Sequence, residues 1–320
     1  MIQDIPTPEE FNEVGLNLIH ASWEQVFDLF TEFDDISYTI EMQEEPSVAE
    51  ESARYWEAAK QSLTRSYAMV HQAVEFFLKG RISEVSPYLL IGGSPSGWPS
   101  RCDSEDKSFS DFRVINSEDL VKVANTVHRN KLSDDFRLWF HELRTNRNKI
   151  MHTVEKRLNF TPEDLIPVIL EACEFFVGER AFCKSHMAYL ERTPLYNVQA
   201  MREEGYPYLL ERMHRHVKAA LDRLSPAQTQ KYFGFDKRRA SCCCPSCHEM
   251  FAYMDTYDPD SMDGQPQTYQ EKGKGQKNYY CFVCGYEGTF IDYPCDSEYC
   301  DGNRLDKETR RCLLCGDEST

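Results

Sequence analysis

Arg147-Asn148-Lys149-Ile150-Met151-His152 puts a guanidinium, a carboxamide and an imidazole in one short run. The surrounding residues predict a single helix from about Leu132 to Val154. Its apolar stripe steps through Leu132, Phe136, Trp139 or Phe140, and Leu143, then resumes at Ile150 and Val154. Four residues after Leu143 the stripe meets Arg147 instead of an apolar side chain, and a charge in that place needs a partner or a use. Asn148 and His152 are four apart and share a face, which Arg144 and His141 extend backwards by further turns. Arg147 and His152 are five apart, about 140° around a helix, so one copy does not close around one phosphate, whereas two copies related by a two-fold axis could. Histidine moves protons near neutral pH, and arginine offers a planar fork to phosphate. Together these groups suit cleavage of RNA by its own 2′-hydroxyl, with no metal required for catalysis.

The second constellation is made of thiols. Ten of the 13 cysteines lie between positions 242 and 315. Cys244 and Cys247 form one CxxC pair and Cys281 and Cys284 another, separated by 33 residues. Cys295 and Cys300 precede a third short-range pair, Cys312 and Cys315. A CxxC lets two thiolates reach one tetrahedral ion, so two structural Zn2+ sites are expected, each with four thiolates and no open position for catalysis. Interleaved pairing stays open, as do Cys242, Cys243 and His248 as substitute ligands. Disulfides are the alternative, and an intracellular chain disfavours them. Cys102, Cys173 and Cys183 read as ordinary thiols.

The elements that must carry these groups are mostly helical. A net charge of −17 looks wrong for a nucleic-acid protein, but residues 1–53 hold 14 Asp or Glu and no Lys or Arg, which leaves −3 for the rest. Within that acidic end, Phe11, Val14 or Gly15, Leu18, Trp23, Val26, Phe27 and Phe30 recur at helical spacing. We expect a helix over about 8–33 that extends the fold, with cover and inhibition of a basic RNA site as the alternative, followed by a loop to about 47. A helix over Val48–Lys79 carries Tyr55, Ala59, Leu63, Tyr67, Val70, Val74 and Phe77 on its apolar stripe. Glu75, four after His71, reads as a solvated helix charge. Gly92 to about Ser110 is a loop, and Ser117 is placed to cap a helix ending near Val127. Thr161-Pro162 opens a further helix to Phe176, with helical segments again at about 178–192 and 206–224. No strand is expected before residue 240. There is no transmembrane-length apolar stretch and no signal-peptide pattern, so the expected compartment is cytoplasmic. Near the cysteines, Lys237, Arg238 and Arg239, with Phe282, Tyr286, Phe290, Tyr293 and Tyr299, could bind single strands; the aromatics could equally form the small core of the zinc folds.

The run Glu142 to His152, with its Arg-Asn-x-x-x-His core, resembles the signature of the HEPN superfamily. Ala58–Leu63, His71–Lys79 and Pro87–Ile91 resemble that family's early helix and the loop after it, so the likeness covers roughly residues 47–190. The resemblance implies a metal-independent endoribonuclease acting as a homodimer. Its settings are toxin–antitoxin or anti-phage systems, with RNA as substrate and an antitoxin or regulatory protein as a further partner. It gives Arg147 and His152 catalytic roles and Asn148 an assisting one. Arg144 and Lys149 are added here as RNA contacts. The expected architecture is mainly α: an acidic helix and loop over 1–46, a HEPN-like bundle over 47–235, and a double zinc module of α/β or β-ribbon type over 236–320. The alternative is a binding module without catalysis, in which the helices dimerise and the zinc knuckles recognise RNA or protein.

Overall fold

The computed structural model describes residues 1–41, 47–152, 161–198, 206–238, 244–252 and 277–319. For Glu41, Met151, His152, Tyr206, Pro207, Phe251 and Ala252 it describes the backbone alone. The protein is mainly helical, with nine α-helices among the described residues and a few small sheets. It forms two compact units, Met1–Phe176 and Val177–Thr320. None of the described helices is long and apolar enough to cross a membrane.

The first unit is built on two long helices, α1 (Pro8–Glu41) and α2 (Val48–Ser83), packed antiparallel. Small residues let them approach closely. A Cβ on Gly15 would lie 2.9 Å from the Phe77 ring, and one on Gly80 would lie 2.6 Å from the Asn12 side chain. Between these contacts and the far end, Ser22 Oγ donates to the Ser66 carbonyl at 3.1 Å, and Ser66 Oγ donates to Gln25 Oε1 at 2.7 Å. The apolar stripes expected of both helices are buried, with Trp23, Val26, Phe27, Leu63, Val70 and Val74 among the most enclosed side chains. In α1 the stripe runs through Ile19 rather than Leu18, and Val14 is exposed while Gly15 is covered.

The expected loop from residue 34 is instead helix as far as Glu41. The acidic pair Asp34-Asp35 suggests a break. However, Phe33 packs against Tyr55 and Trp56 with ring centroids 5.3 and 5.5 Å away, and Ile40 is buried. Tyr55 also donates its hydroxyl to the Leu29 carbonyl at 2.8 Å, tying the two helices there. The acidic helix therefore belongs to the first unit.

Two-residue strands β1 (Ile2–Gln3) and β2 (Lys107–Ser108) pair in parallel ahead of α3 (Ser117–Val127), where no strand was expected. The N-cap of α3 is Asn116 rather than Ser117, and it makes no side-chain cap bond. Next comes α4 (Asp134–His152), which starts two residues later than the apolar pattern suggests. Ser133 is its cap: Phe136 N–H donates to Ser133 Oγ at 3.1 Å. Phe136, Phe140 and Leu143 are buried, as the stripe requires. Phe136 packs on Phe175 and Phe176 of α5 (Pro162–Phe176), and Phe77 of α2 stacks on Phe176. Thr161 and Asp164 close the start of α5, the Asp164 carboxylate accepting from the Thr161 backbone and hydroxyl at 3.0 and 2.9 Å.

In the second unit, α6 (Phe182–Leu190) packs on α7 (Tyr206–Arg223). A helix not expected from the sequence, α8 (Pro226–Phe233), follows. Ser225 and Gln228 form a capping box at its start, and Gly234 closes it with φ 70°. The cysteine-rich end contains α9 (Pro245–Ala252) and a three-stranded antiparallel sheet of β3 (Asn278–Tyr280), β4 (Glu287–Asp292) and β5 (Arg304–Asp306) in that order. Tyr279 pairs with Gly288, and Ile291 with Leu305.

Candidate phosphate site on α4 and two tetrathiol centres

On α4 the polar motif divides between two sides of the helix. Arg147 is half-buried and donates Nη1 to Asn148 Oδ1 at 3.2 Å, while Asn148 and Lys149 are exposed. Arg144, with 24 % of its side chain exposed, donates to Glu118 of α3 at 3.2 Å. The structure thus brings together Arg144, Arg147 and Asn148. The side chain of His152 lies outside the described residues, as does Val154, so the predicted relation of Asn148 to the histidine has no geometry here.

What sits behind the arginines is a histidine of α2. His71 is buried and its ring stacks on Phe140 at 5.8 Å with an interplanar angle of 7°. Its Nδ1 is 3.7 Å from Glu75 Oε1, and its Nε2 has no hydrogen-bond partner among the described residues. Burial pushes the imidazole below the usual histidine range. Glu75 opposes this, and the Arg147 and Arg144 guanidiniums reinforce it. His71 is therefore a neutral ring at physiological pH, held next to two cations. Glu75 is not the solvated charge its sequence position suggests: only 15 % of its side chain is exposed, and it also accepts from Gln72 at 3.4 Å. One turn before His71, Tyr67 is buried and hydrogen-bonded to Asn146 of α4. Tyr67, His71 and Glu75 form an i, i+4, i+8 line, so one face of α2 supports the motif from below. Nothing in the local sequence marks this, because the contact spans more than 70 residues of chain.

In the second unit the eight cysteines fall into two groups of four, Cys244/Cys247/Cys281/Cys284 and Cys295/Cys300/Cys312/Cys315. Within each group the sulfurs all lie within 4.8 Å of one another. The interleaved pairing left open by the sequence does not occur. Sulfur pairs stand 3.6 Å (Cys244–Cys284), 3.9 Å (Cys247–Cys281), 3.7 Å (Cys295–Cys315) and 3.8 Å (Cys300–Cys312) apart. All are too long for disulfides. A tetrahedral ion with metal–sulfur bonds of about 2.3 Å requires sulfur–sulfur edges of about 3.8 Å, so both groups fit such an ion. Four thiols packed this closely are the donor set that a dipositive ion would hold as thiolates.

The two groups repeat one local design. In Cys281–Gly285, Gly285 N–H donates to the Cys281 carbonyl and Cys281 N–H to the Tyr286 carbonyl, each at 2.8 Å. In Cys312–Gly316, the matching bonds are Gly316 N–H to the Cys312 carbonyl at 2.9 Å and Cys312 N–H to the Asp317 carbonyl at 2.7 Å. Each knuckle ends in a left-handed glycine, with φ 79° at Gly285 and 84° at Gly316. The sequence carries this repeat as C-x-x-C-G at 281–285 and again at 312–316.

The surroundings differ. In the first group Cys244, Cys247 and Cys281 are buried; in the second only Cys312 is. His214 of α7, itself buried, places Nε2 3.1 Å from Cys247 Sγ, where an N–H would donate to a thiolate. His248 is not in either thiol group. It packs against the second knuckle, where a Cβ on Gly316 would come within 2.4 Å of its ring. Cys242 and Cys243 lie outside the described residues.

The aromatics also divide. Tyr279, Phe290 and Leu313 form a small core with Tyr286 against it, and Phe282 packs on Phe233 and Phe235. Tyr293 and Tyr299 are exposed. Of the basic run, Lys237 Nζ donates to the Leu224 carbonyl at 2.6 Å, and Arg238 forms a two-pronged pair with Asp236 at 2.9 Å on each side. Both bonds are local to this unit, so Lys237 closes the end of α7 rather than reaching outward. Arg239 lies outside the described residues. No protein-family model, curated protein or solved structure matches the chain.

Proposed function

We propose that this protein is a metal-independent endoribonuclease of HEPN type, acting as a homodimer whose facing α4 motifs complete one site. The observation that carries the proposal is the grouping of Arg144, Arg147 and Asn148 on α4, with exposure enough to meet a phosphate and a buried wall behind them. Two guanidiniums and a carboxamide form a donor set suited to a phosphodiester. In the proposed step the 2′-hydroxyl loses its proton and its oxygen attacks the adjacent phosphorus. The bond to the 5′-oxygen breaks, and that oxygen takes up a proton. The products are a 2′,3′-cyclic phosphate and a 5′-hydroxyl. Arg147 stabilises the charge that develops on the non-bridging oxygens, and Asn148 holds the guanidinium or a phosphate oxygen. The resemblance of Arg-Asn-x-x-x-His assigns proton transfer to His152. Defence against phage or a toxin–antitoxin pair is the setting that resemblance suggests. The two thiol groups are read as structural Zn2+ sites, with four ligands each and no position for a substrate.

The test is cleavage of mixed RNA, in buffer freed of divalent metal before the protein is added, by the wild type, Arg147→Ala and His152→Ala, with zinc content and helicity measured on each sample. Wild-type cleavage that both variants lose, with zinc and folding retained, supports the enzyme. RNA binding without cleavage by the wild type sinks it in favour of a binding module.

A further inference from the structure

The groove between α3 and α4 is an open cavity of about 840 Å³, and its polar lining includes Lys122, Asn125, Lys131, Arg137, His141 and Arg144. The chain as a whole is at −17, yet this lining has four Lys or Arg against two carboxylates, Glu118 and Asp134. Both carboxylates are engaged, Asp134 with Arg137 at 3.1 Å and Glu118 with Arg144 at 3.2 Å. The exposed Lys122 and Lys131 have no ion pair among the described residues, so the groove presents uncompensated positive charge. Its apolar lining includes Val121, Phe140 and Leu138, and Leu138 is 71 % exposed.

The groove also points somewhere. Asp134, Arg137, Leu138, His141 and Arg144 follow three- and four-residue steps along α4, and the next steps on that stripe are Asn148 and position 152. Arg144 belongs both to the groove and to the candidate phosphate site. We infer that this groove is the path by which a single-stranded RNA reaches the motif, its phosphates on Lys122, Lys131 and Arg144 and its bases against Leu138 and Val121. The inference rests on the ribonuclease reading above. Apolar and aromatic contacts with phosphate neutralisation are the usual means of holding a single strand. Duplex RNA fits poorly, since α3, with 11 residues, is only about 16 Å long, against a footprint of about 16 base pairs for duplex-binding domains.

The experiment uses the full chain and a fluorescent U-rich oligonucleotide with 2′-O-methyl groups, which removes the nucleophile so that cleavage cannot consume the probe. Binding is followed by anisotropy across a salt series for the wild type, for Lys122→Glu/Lys131→Glu, and for the control Arg54→Glu/Arg65→Glu on the exposed side of α2. The groove variant should bind at least about tenfold more weakly. Its log–log salt slope should be shallower by about 1.4, the value for two lost phosphate contacts on a single strand. The control should follow the wild type. Unchanged affinity and slope in the groove variant overturn the path, as does equal binding of a duplex of the same length. Cleavage of ordinary RNA by the same samples separates the two readings. Cleavage that persists unaltered in the groove variant leaves the ribonuclease standing and removes the path. Groove-dependent binding by a wild type that never cuts keeps the path and removes the ribonuclease. Absence of any RNA binding overturns the path and favours an acidic protein as the groove's partner.

Discussion

The two units solve the problem of buried polar groups in opposite ways. In Met1–Phe176 an extensive apolar interior encloses His71 and half-buries Arg147, and these polar groups are held by stacking and by charges on neighbouring helices. Among the described residues, the cysteine-rich end of the second unit gathers Tyr279, Phe290 and Leu313 into a small core cluster beside its eight thiols. So small a core cannot by itself offset the entropy of ordering three strands and two knuckles. The helical unit can therefore lose one polar contact and stay folded, whereas the thiol end should fail as a whole when the metal proposed for it is removed.

Removing the proposed metal is thus the change expected to separate the units most. Structural zinc in small domains contributes on the order of 10–16 kcal/mol. Chelation at neutral pH, or Cys281→Ser, should unfold the β3–β5 region and leave α1–α5 protected. Hydrogen exchange read by mass spectrometry checks this: peptides from 278–319 should lose protection while those from α2 and α5 keep it. Equal loss in both units would mean that the thiols support the whole chain. The converse change is Phe136→Ala, which removes a fully buried ring contacting Phe140, Phe175 and Phe176. It should cost about 3–5 kcal/mol in the first unit and leave zinc stoichiometry unaltered, as measured by denaturant unfolding alongside metal analysis.

The same contrast explains what could be read in the sequence. Helices whose stripes are continuous, such as α2 and α4, were legible because burial follows a period. The last turns of α1 were not. Asp34-Asp35 looks like a break, and only the distant Tyr55 and Trp56 explain why the chain stays helical there. The helix α8 was legible in principle, since Ser225, Pro226, Gln228 and Gly234 supply a cap, a first-turn proline, a capping box and a left-handed end. The thiol groups follow from spacing alone, and their sequential pairing follows from geometry. The partners of the motif do not. His71 stands beside Val70 in an apolar stretch and looks like a core residue until Arg144 and Arg147 arrive from α4. His214 and the bond from Lys237 to Leu224 are hidden for the same reason, because non-local contacts leave no local pattern.

Within the thiol end, the two knuckles allow a finer comparison. Gly285 and Gly316 share a left-handed backbone, but a Cβ on Gly285 would meet open space, while one on Gly316 would collide with the His248 ring. Gly285→Ala should therefore cost only the conformational term, about 1–2 kcal/mol. Gly316→Ala should cost that and the displacement of His248 as well. Competition with a chromogenic chelator should show zinc leaving the second site faster in Gly316→Ala, and little change in Gly285→Ala. Equal rates in the two variants would mean that His248 yields without resistance.

The smallest expected effect tests the link between α2 and the motif. Because burial and the two arginines lower the His71 pKa in the folded state, the native protein binds fewer protons there than the unfolded chain does. The stability this histidine contributes is present above its unfolded pKa of about 6.5 and is lost as the pH falls below it. His71→Gln should flatten the fall in the denaturation midpoint of the first unit between neutral and mildly acidic pH, and a slope equal to that of the wild type would remove His71 from the balance. Arg147→Ala sharpens the point, since it removes one of the two repelling charges and leaves Glu75 in place. The His71 ring, followed by NMR, should then titrate at higher pH than in the wild type. A ring that titrates at the same pH in both proteins would place Arg147 too far from α2 to matter, and the buried wall behind the motif would no longer explain why an arginine interrupts the apolar stripe of α4.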